Sequence, residues 1–193
     1  MPTKRLLAAA AAALVIPITL ACDLPTWDAD FLVPLPSQRI RLDSAFGFVP
    51  AIPAGTTTDI SFPEKTAALD ESLGDIIEEM LVARLIATVT TTVPLDGVDT
   101  VFVAGSSADL VNPAAVRVTL VMTMVAAVAT TVDTIDITTA ELDMLKNVAL
   151  AGDSLHIQMR GRVTYPGPGP RPVGPTDSIG VRLQLLARVP VVQ

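Results

Sequence analysis

The sequence predicts a mainly β protein: an antiparallel β-sandwich with two short helices, preceded by a cleaved signal peptide. Three observations carry this. Val, Ala, Thr, Leu and Ile dominate a chain that is 50% hydrophobic yet only 4% aromatic, and β-branched side chains favour pleated sheet. Several segments alternate apolar and polar residues with the period of two that a half-buried strand requires. Turn-forming Gly, Pro, Asn and Asp residues punctuate the chain between those segments. A transmembrane barrel would need girdles of interfacial aromatics, which one Trp, one Tyr and five Phe cannot build.

Residues 1–21 have the layout of a secretory signal peptide. Lys4 and Arg5 give a positive start, residues 6–16 an apolar centre, and Ala21 a small residue at the cut. The centre is shorter than the ~20 residues a spanning helix needs. Cys22, the single cysteine, follows Ala21 directly. This junction resembles a bacterial lipoprotein signal, with Thr19 standing where that family usually has an aliphatic residue. The resemblance implies that Cys22 is lipidated, becomes the first residue of the mature chain and holds it on a membrane. Ordinary cleavage after Ala21 would instead release a soluble secreted protein.

The run Cys22-Asp23-Leu24-Pro25-Thr26-Trp27-Asp28, followed by Val33-Pro34-Leu35, is similar to the start of a group of uncharacterised bacterial lipoproteins. That resemblance implies a β-sandwich body and an address in the bacterial cell envelope, facing periplasm or cell surface. It implies no activity.

The formal net charge is −7, and loss of Lys4 and Arg5 with the signal makes the remainder more acidic. Such a surface repels phosphate backbones, so nucleic acid is not an expected partner. Membrane affinity would have to come from the lipid. With one cysteine an intramolecular disulfide is impossible, so stability rests on packing.

Taken in order, residues 22–36 are expected to form the lipidated tether and first strand. Residues 37–193 are expected to form one sandwich domain. Prolines at 25, 34, 36, 50, 53 and 63 remove ladder donors, so early strands should be short, interrupted or at sheet edges. Residues 27–35, 39–42 and 56–62 are the candidates. Leu69, Leu73, Ile76, Ile77 and Met80 recur at helical spacing, which reads as a short helix packed on the sheet. Residues 82–93 form a strand, Asp96-Gly97 the centre of a tight hairpin, and residues 99–104 its return. Residues 118–132 carry no charge and read as one long buried strand, bent around Ala126-Ala127. A short strand follows at 133–138. Thr138-Thr139-Ala140-Glu141 has the form of a capping box opening the second helix. Residues 154–164 set Leu155, Ile157 and Met159 against His156, Gln158, Arg160 and Arg162. The Pro/Gly-rich stretch 166–175 is an extended, solvated loop, and residues 178–189 make the last strand.

Chemical motifs are sparse. His156 is the only histidine, and nucleophilic catalysis would require a serine and an orienting carboxylate beside it. Gly105-Ser106-Ser107 does not match a G-x-S-x-G elbow. One His and an anchored Cys make no zinc site, and Asp96 with Asp99, or Asp28 with Asp30, fit no EF-hand loop. No phosphate-binding glycine loop occurs. Arg160, Arg162, Arg171, Arg182 and Arg188 gather near the C-terminus, where an acidic glycan or envelope protein could meet them. The expectation is therefore a lipid-anchored, non-enzymatic binding or structural module with no cofactor, whose one assigned site is the lipidation site Cys22. A hydrolase with a dispersed carboxylate site and a subunit of a cell-surface assembly are the alternatives.

Overall fold

The structure, a computed structural model, describes residues 27–47, 50–68, 76, 77 and 79–191. The chain divides into two compact units, residues 1–29 with 190–193, and residues 30–189. In the first, the described residues are extended. The second is an antiparallel β-sandwich.

One sheet contains β1 (Trp27–Pro34), β2 (Gln38–Arg41), β6 (Val82–Thr91), β9 (Thr130–Asp136) and β12 (Ser178–Val191), ordered β1-β12-β6-β9 with β2 also on β12. The other contains β4 (Thr57–Ser61), β5 (Lys65–Ala68), β7 (Asp96–Ala104), β8 (Val118–Met124) and β10 (Ser154–Thr164), ordered β4-β10-β7-β8 with β5 also on β10. A small ribbon pairs β3 (Ala51–Ile52) with β11 (Arg171–Pro172).

The expected proline interruptions occur at sheet edges. β2 and the chain before it follow one side of β12, and Leu35 between Pro34 and Pro36 still donates its N–H to the Leu183 carbonyl at 3.0 Å. β4 and β5 follow one side of β10 in the same way, with Phe62, next to Pro63, donating to Met159 at 2.9 Å. Leu35 and Phe62 are both buried, so each break pins an apolar side chain into the core while prolines take the positions that need no ladder donor. Counting each interrupted edge as one strand gives eight strands in the orders 1-8-3-6 and 2-7-4-5. That is the topology of a jelly roll.

The inward faces follow the alternation of the sequence. Leu85, Ala87 and Val89 of β6, with Val181, Leu183 and Leu185 of β12, belong to the same buried cluster as Val101, Val118, Leu120, Met122, Leu155, Ile157 and Met159 of the opposite sheet. Three helices are described: α1 (Leu42–Ala45), α2 (Ser107–Val111) and α3 (Thr139–Leu150). The capping box of α3 is present, with Thr138 and Glu141 each satisfying the other's backbone N–H. None of the described helices is long and apolar enough to cross a membrane. The segment expected as a helix at 69–80 lies mostly outside the described residues; Ile76 and Ile77 are helical, and Ile77 and Met80 are fully buried.

Three expectations are corrected. Asp96-Gly97 is no turn: both residues pair with β10, opposite Thr164 and Val163. A Cβ on Gly97 would lie 2.4 Å from the Arg162 carbonyl oxygen, so this glycine permits close strand approach. Residues 92–95 instead carry the chain from β6 in one sheet to β7 in the other, so the expected hairpin does not form. Residues 118–132 are two strands in different sheets, β8 and β9, separated by a turn at Ala126-Ala127. Nor is the whole run buried. β8 alternates between core and solvent, and Val125, Val128 and Val132 are exposed. Finally, the loop at 166–175 is not merely solvated. It carries β11, Val173 packs on the core, and Tyr165 at its base is buried.

Candidate functional site

Cys22 lies outside the described residues, as do the side chains of Trp27 and Asp28. Three places in the sandwich gather functional groups.

His156 is on the outer face of β10, and its Nδ1 lies 2.6 Å from Oε1 of Glu64, in the link between β4 and β5. Ser107, the first residue of α2, donates its hydroxyl to Oε2 of the same carboxylate at 2.7 Å. The bonds from His156 and then Ser107 hold the Glu64 carboxyl below its ordinary range. The structure thus supplies both partners that sequence reasoning required of His156. Glu64 stands 92 positions from His156 and 43 from Ser107 along the chain. Their order differs from a nucleophilic triad. The base must stand between nucleophile and carboxylate, whereas here the carboxylate stands in the middle. Ser107 donates to the carboxylate and makes no hydrogen bond to the imidazole ring among the described residues.

The arginines divide by partner. Arg162 pairs with Asp59 at 2.7 Å, Arg188 with Asp30 at 3.0 Å and Arg171 with Asp177 at 3.7 Å, while Arg41 pairs with Asp43 and Arg84 with Asp136. Arg160 donates to Gln158, and Arg117 donates to two carbonyls and lies 4.6 Å from the centre of the Phe102 ring. Among the described residues Arg39 donates only to the Ser178 hydroxyl, at 2.8 Å. Arg182 has no partner among the described residues. Arg39 and Arg182 line one shallow depression of about 430 Å³ on the outer face of the first sheet, together with Ser37, Thr88, Thr90, Gly180 and Gln184. No acidic residue lines it. Register explains the assembly: Arg39 is opposite Gly180 on one side, Thr90 is opposite it on the other, and Arg182 is two residues further along β12, opposite Thr88.

A smaller concavity of about 150 Å³ on the same face contains two carboxylates, Asp30 and Asp136. Each is held by an arginine, and Arg188 keeps Asp30 below the ordinary carboxyl range. A general acid needs its pKa moved the other way. The carboxyl that is moved up is Asp99, pushed to about 6 by burial. It is fully buried on the inward side of β7, its oxygens lack partners among the described residues, and it fills the space over Gly161, where a Cβ would lie 1.5 Å from Oδ1. It lines neither concavity and cannot reach a solute. No group of three or more His, Cys, Asp or Glu suited to a metal ion occurs among the described residues.

Sequence reasoning flagged Arg182 and missed Arg39, Gly180, Glu64 and the burial of Asp99. A glycine inside an alternating strand was the available signal for Gly180 and Gly161.

No protein-family model and no curated protein matches the chain. Among solved structures, a chain of Desmodium yellow mottle tymovirus is 16% identical, with a TM-score of 0.34 over 88% of this chain and 90% of that one. A chain of turnip yellow mosaic virus is 13% identical, with a TM-score of 0.32 over 88% and 83%.

Proposed function

We propose that this chain is a non-enzymatic binding module held on the bacterial cell envelope by a lipid on Cys22. The observation that carries binding is the depression on the first sheet. Arg39 and Arg182 line it with no carboxylate among them, on a chain whose net charge is −7. Two cations with no carboxylate between them are stabilised locally by an anion brought from outside, against the overall negative charge of the chain. The hydrolase alternative finds less support: the serine, glutamate and histidine stand in the wrong order, and both carboxylates of the smaller concavity are occupied by arginines.

Retention on immobilised sulfated dextran tests the binding reading. Wild-type protein should be retained at low salt, and the Arg39→Gln/Arg182→Gln double variant should pass through. Equal elution of the two would refute it.

One observation favours the assembly reading as a second possibility. Among the described residues β8 pairs only with β7, and it carries no charge or proline and exposes Val121. Its free edge is a template for a second copy of this chain. Sedimentation equilibrium over rising concentration would show a dimer if that edge is used; a monomer throughout removes the reading.

A further inference from the structure

We infer that the depression over Gly180 takes a carboxylate-bearing saccharide, a uronate segment of an acidic glycan, with Arg39 and Arg182 gripping its carboxylates. This rests on the binding reading above and specifies its ligand.

The floor is the first argument. Gly180 is the one residue of the lining without a side chain, and a Cβ there would have only the Thr90 carbonyl oxygen within 4 Å, at 3.9 Å. Its φ lies outside the left-handed range. Neither backbone geometry nor packing therefore demands glycine. The contrast with Gly97 and Gly161 is direct, since neighbouring groups occupy the space over both of those. At Gly180 that space is open, and Arg39 and Arg182 line the same depression.

The cations are the second. Arg182 is the diagonal neighbour of Arg39 across the β2–β12 ladder, which sets their backbones roughly 7–8 Å apart. Each guanidinium presents a planar fork that fits a carboxylate in two parallel hydrogen bonds. Arg39 is bonded through Nε to the Ser178 hydroxyl, and no acidic side chain of the lining faces either cation.

The remaining lining selects the rest of the ligand. Ser37, Thr88, Thr90 and Gln184 offer hydroxyl and amide groups that both donate and accept, the complement of sugar hydroxyls. No aromatic residue lines the depression, so ring stacking plays no part. The strands beneath are already bonded to one another, β2 to β12 and β12 to β6. A peptide therefore finds no free backbone for strand addition here. The volume of about 430 Å³ falls in the range of about 300–1,000 Å³ usual for small-molecule sites, which suits a short glycan segment rather than a protein face.

Calorimetric titration of the full chain carrying Cys22→Ser, which is independent of lipidation, tests this. The probes are trigalacturonate, its methyl ester, neutral galactotriose and tetraglutamate. Trigalacturonate should bind, and the other three should bind at least about tenfold more weakly. Arg182→Gln should weaken the trigalacturonate complex roughly tenfold, the size of a lost charge-assisted hydrogen bond. Gly180→Val should abolish it without lowering the thermal midpoint, since valine suits a strand and a Cβ at this position has room. Undiminished binding by Gly180→Val, or tetraglutamate binding as tightly as the sugar, overturns the saccharide assignment while sulfated-dextran retention leaves the binding reading standing. Failure of every anion, dextran sulfate included, overturns both.

Discussion

Replacing Asp99 by asparagine should remove a pH dependence written into the core. The wild-type carboxyl is fully buried without partners among the described residues, and its neighbours across the two ladders, Gly161 and Met122, carry no charge. Burial raises its pKa from 3.8 to about 6. Because the folded value lies above the unfolded one, the folded state holds a proton that the unfolded state releases between those two pH values. The favourable balance is complete below pH ~4 and is lost as pH rises through 6. A shift of this size corresponds to about 3 kcal/mol, or roughly 6–12 °C in melting temperature for a domain of this length. The asparagine side chain keeps the shape of the carboxyl and cannot ionise. Its buried amide costs something at every pH, so the decisive quantity is the slope rather than the absolute stability. Urea denaturation at pH 4, 5, 6 and 7 should give wild type a decline over that interval about 3 kcal/mol larger than that of Asp99→Asn. Carboxyls held low by partners, Asp30, Asp59 and Glu64, titrate alike in both proteins and cancel. Parallel profiles would refute the reasoning.

Gly161→Ala should destabilise the fold by about 1–3 kcal/mol, measured by the same denaturation, because the new methyl occupies the position of the Asp99 carboxyl; Gly161→Ala with Asp99→Ala should recover part of the loss. Leu155→Ala, at a residue with no exposure, should cost about 2–5 kcal/mol. Cutting residues 166–175 to a short turn should lower the melting temperature, since β11 and Val173 tie that loop down; an unchanged melt would show that the ribbon contributes nothing. Cys22→Ser should move the protein from the membrane to the soluble fraction and remove acyl mass from the intact chain while leaving the β circular dichroism unchanged. Unlipidated, soluble wild type would identify a secreted protein.

The strands that alternate cleanly were legible residue by residue. β10 begins and ends where its pattern does, and the capping box at Thr138 announced α3. Local signals failed where two meanings share one residue type. Asp-Gly marks a hairpin by its tolerance of positive φ, but Gly97 serves a tight strand crossing that only the position of Arg162 reveals. An uncharged run fixes neither burial nor membership of one sheet, because Thr and Val serve on exposed strand faces as well as inward ones. The division at Ala126-Ala127 was therefore invisible. Arg182 was visible as a cation. Its lack of a counter-charge was not, because the ion pairs that distinguish it from Arg162 and Arg188 join residues more than a hundred positions apart.

The strand order also governs when the chain can fold. β12 lies between β6 and the β1–β2 edge, and β10 lies between β7 and the β4–β5 edge. Both sheets therefore lack an interior strand until β10 and β12 are made, and the first is complete only with β12. Most stabilising pairings close long loops, which makes folding slow. Until β10 and β12 are made, β6–β9 and β7–β8 are the ladders open to the nascent chain, and neither is yet joined to its N-terminal edge.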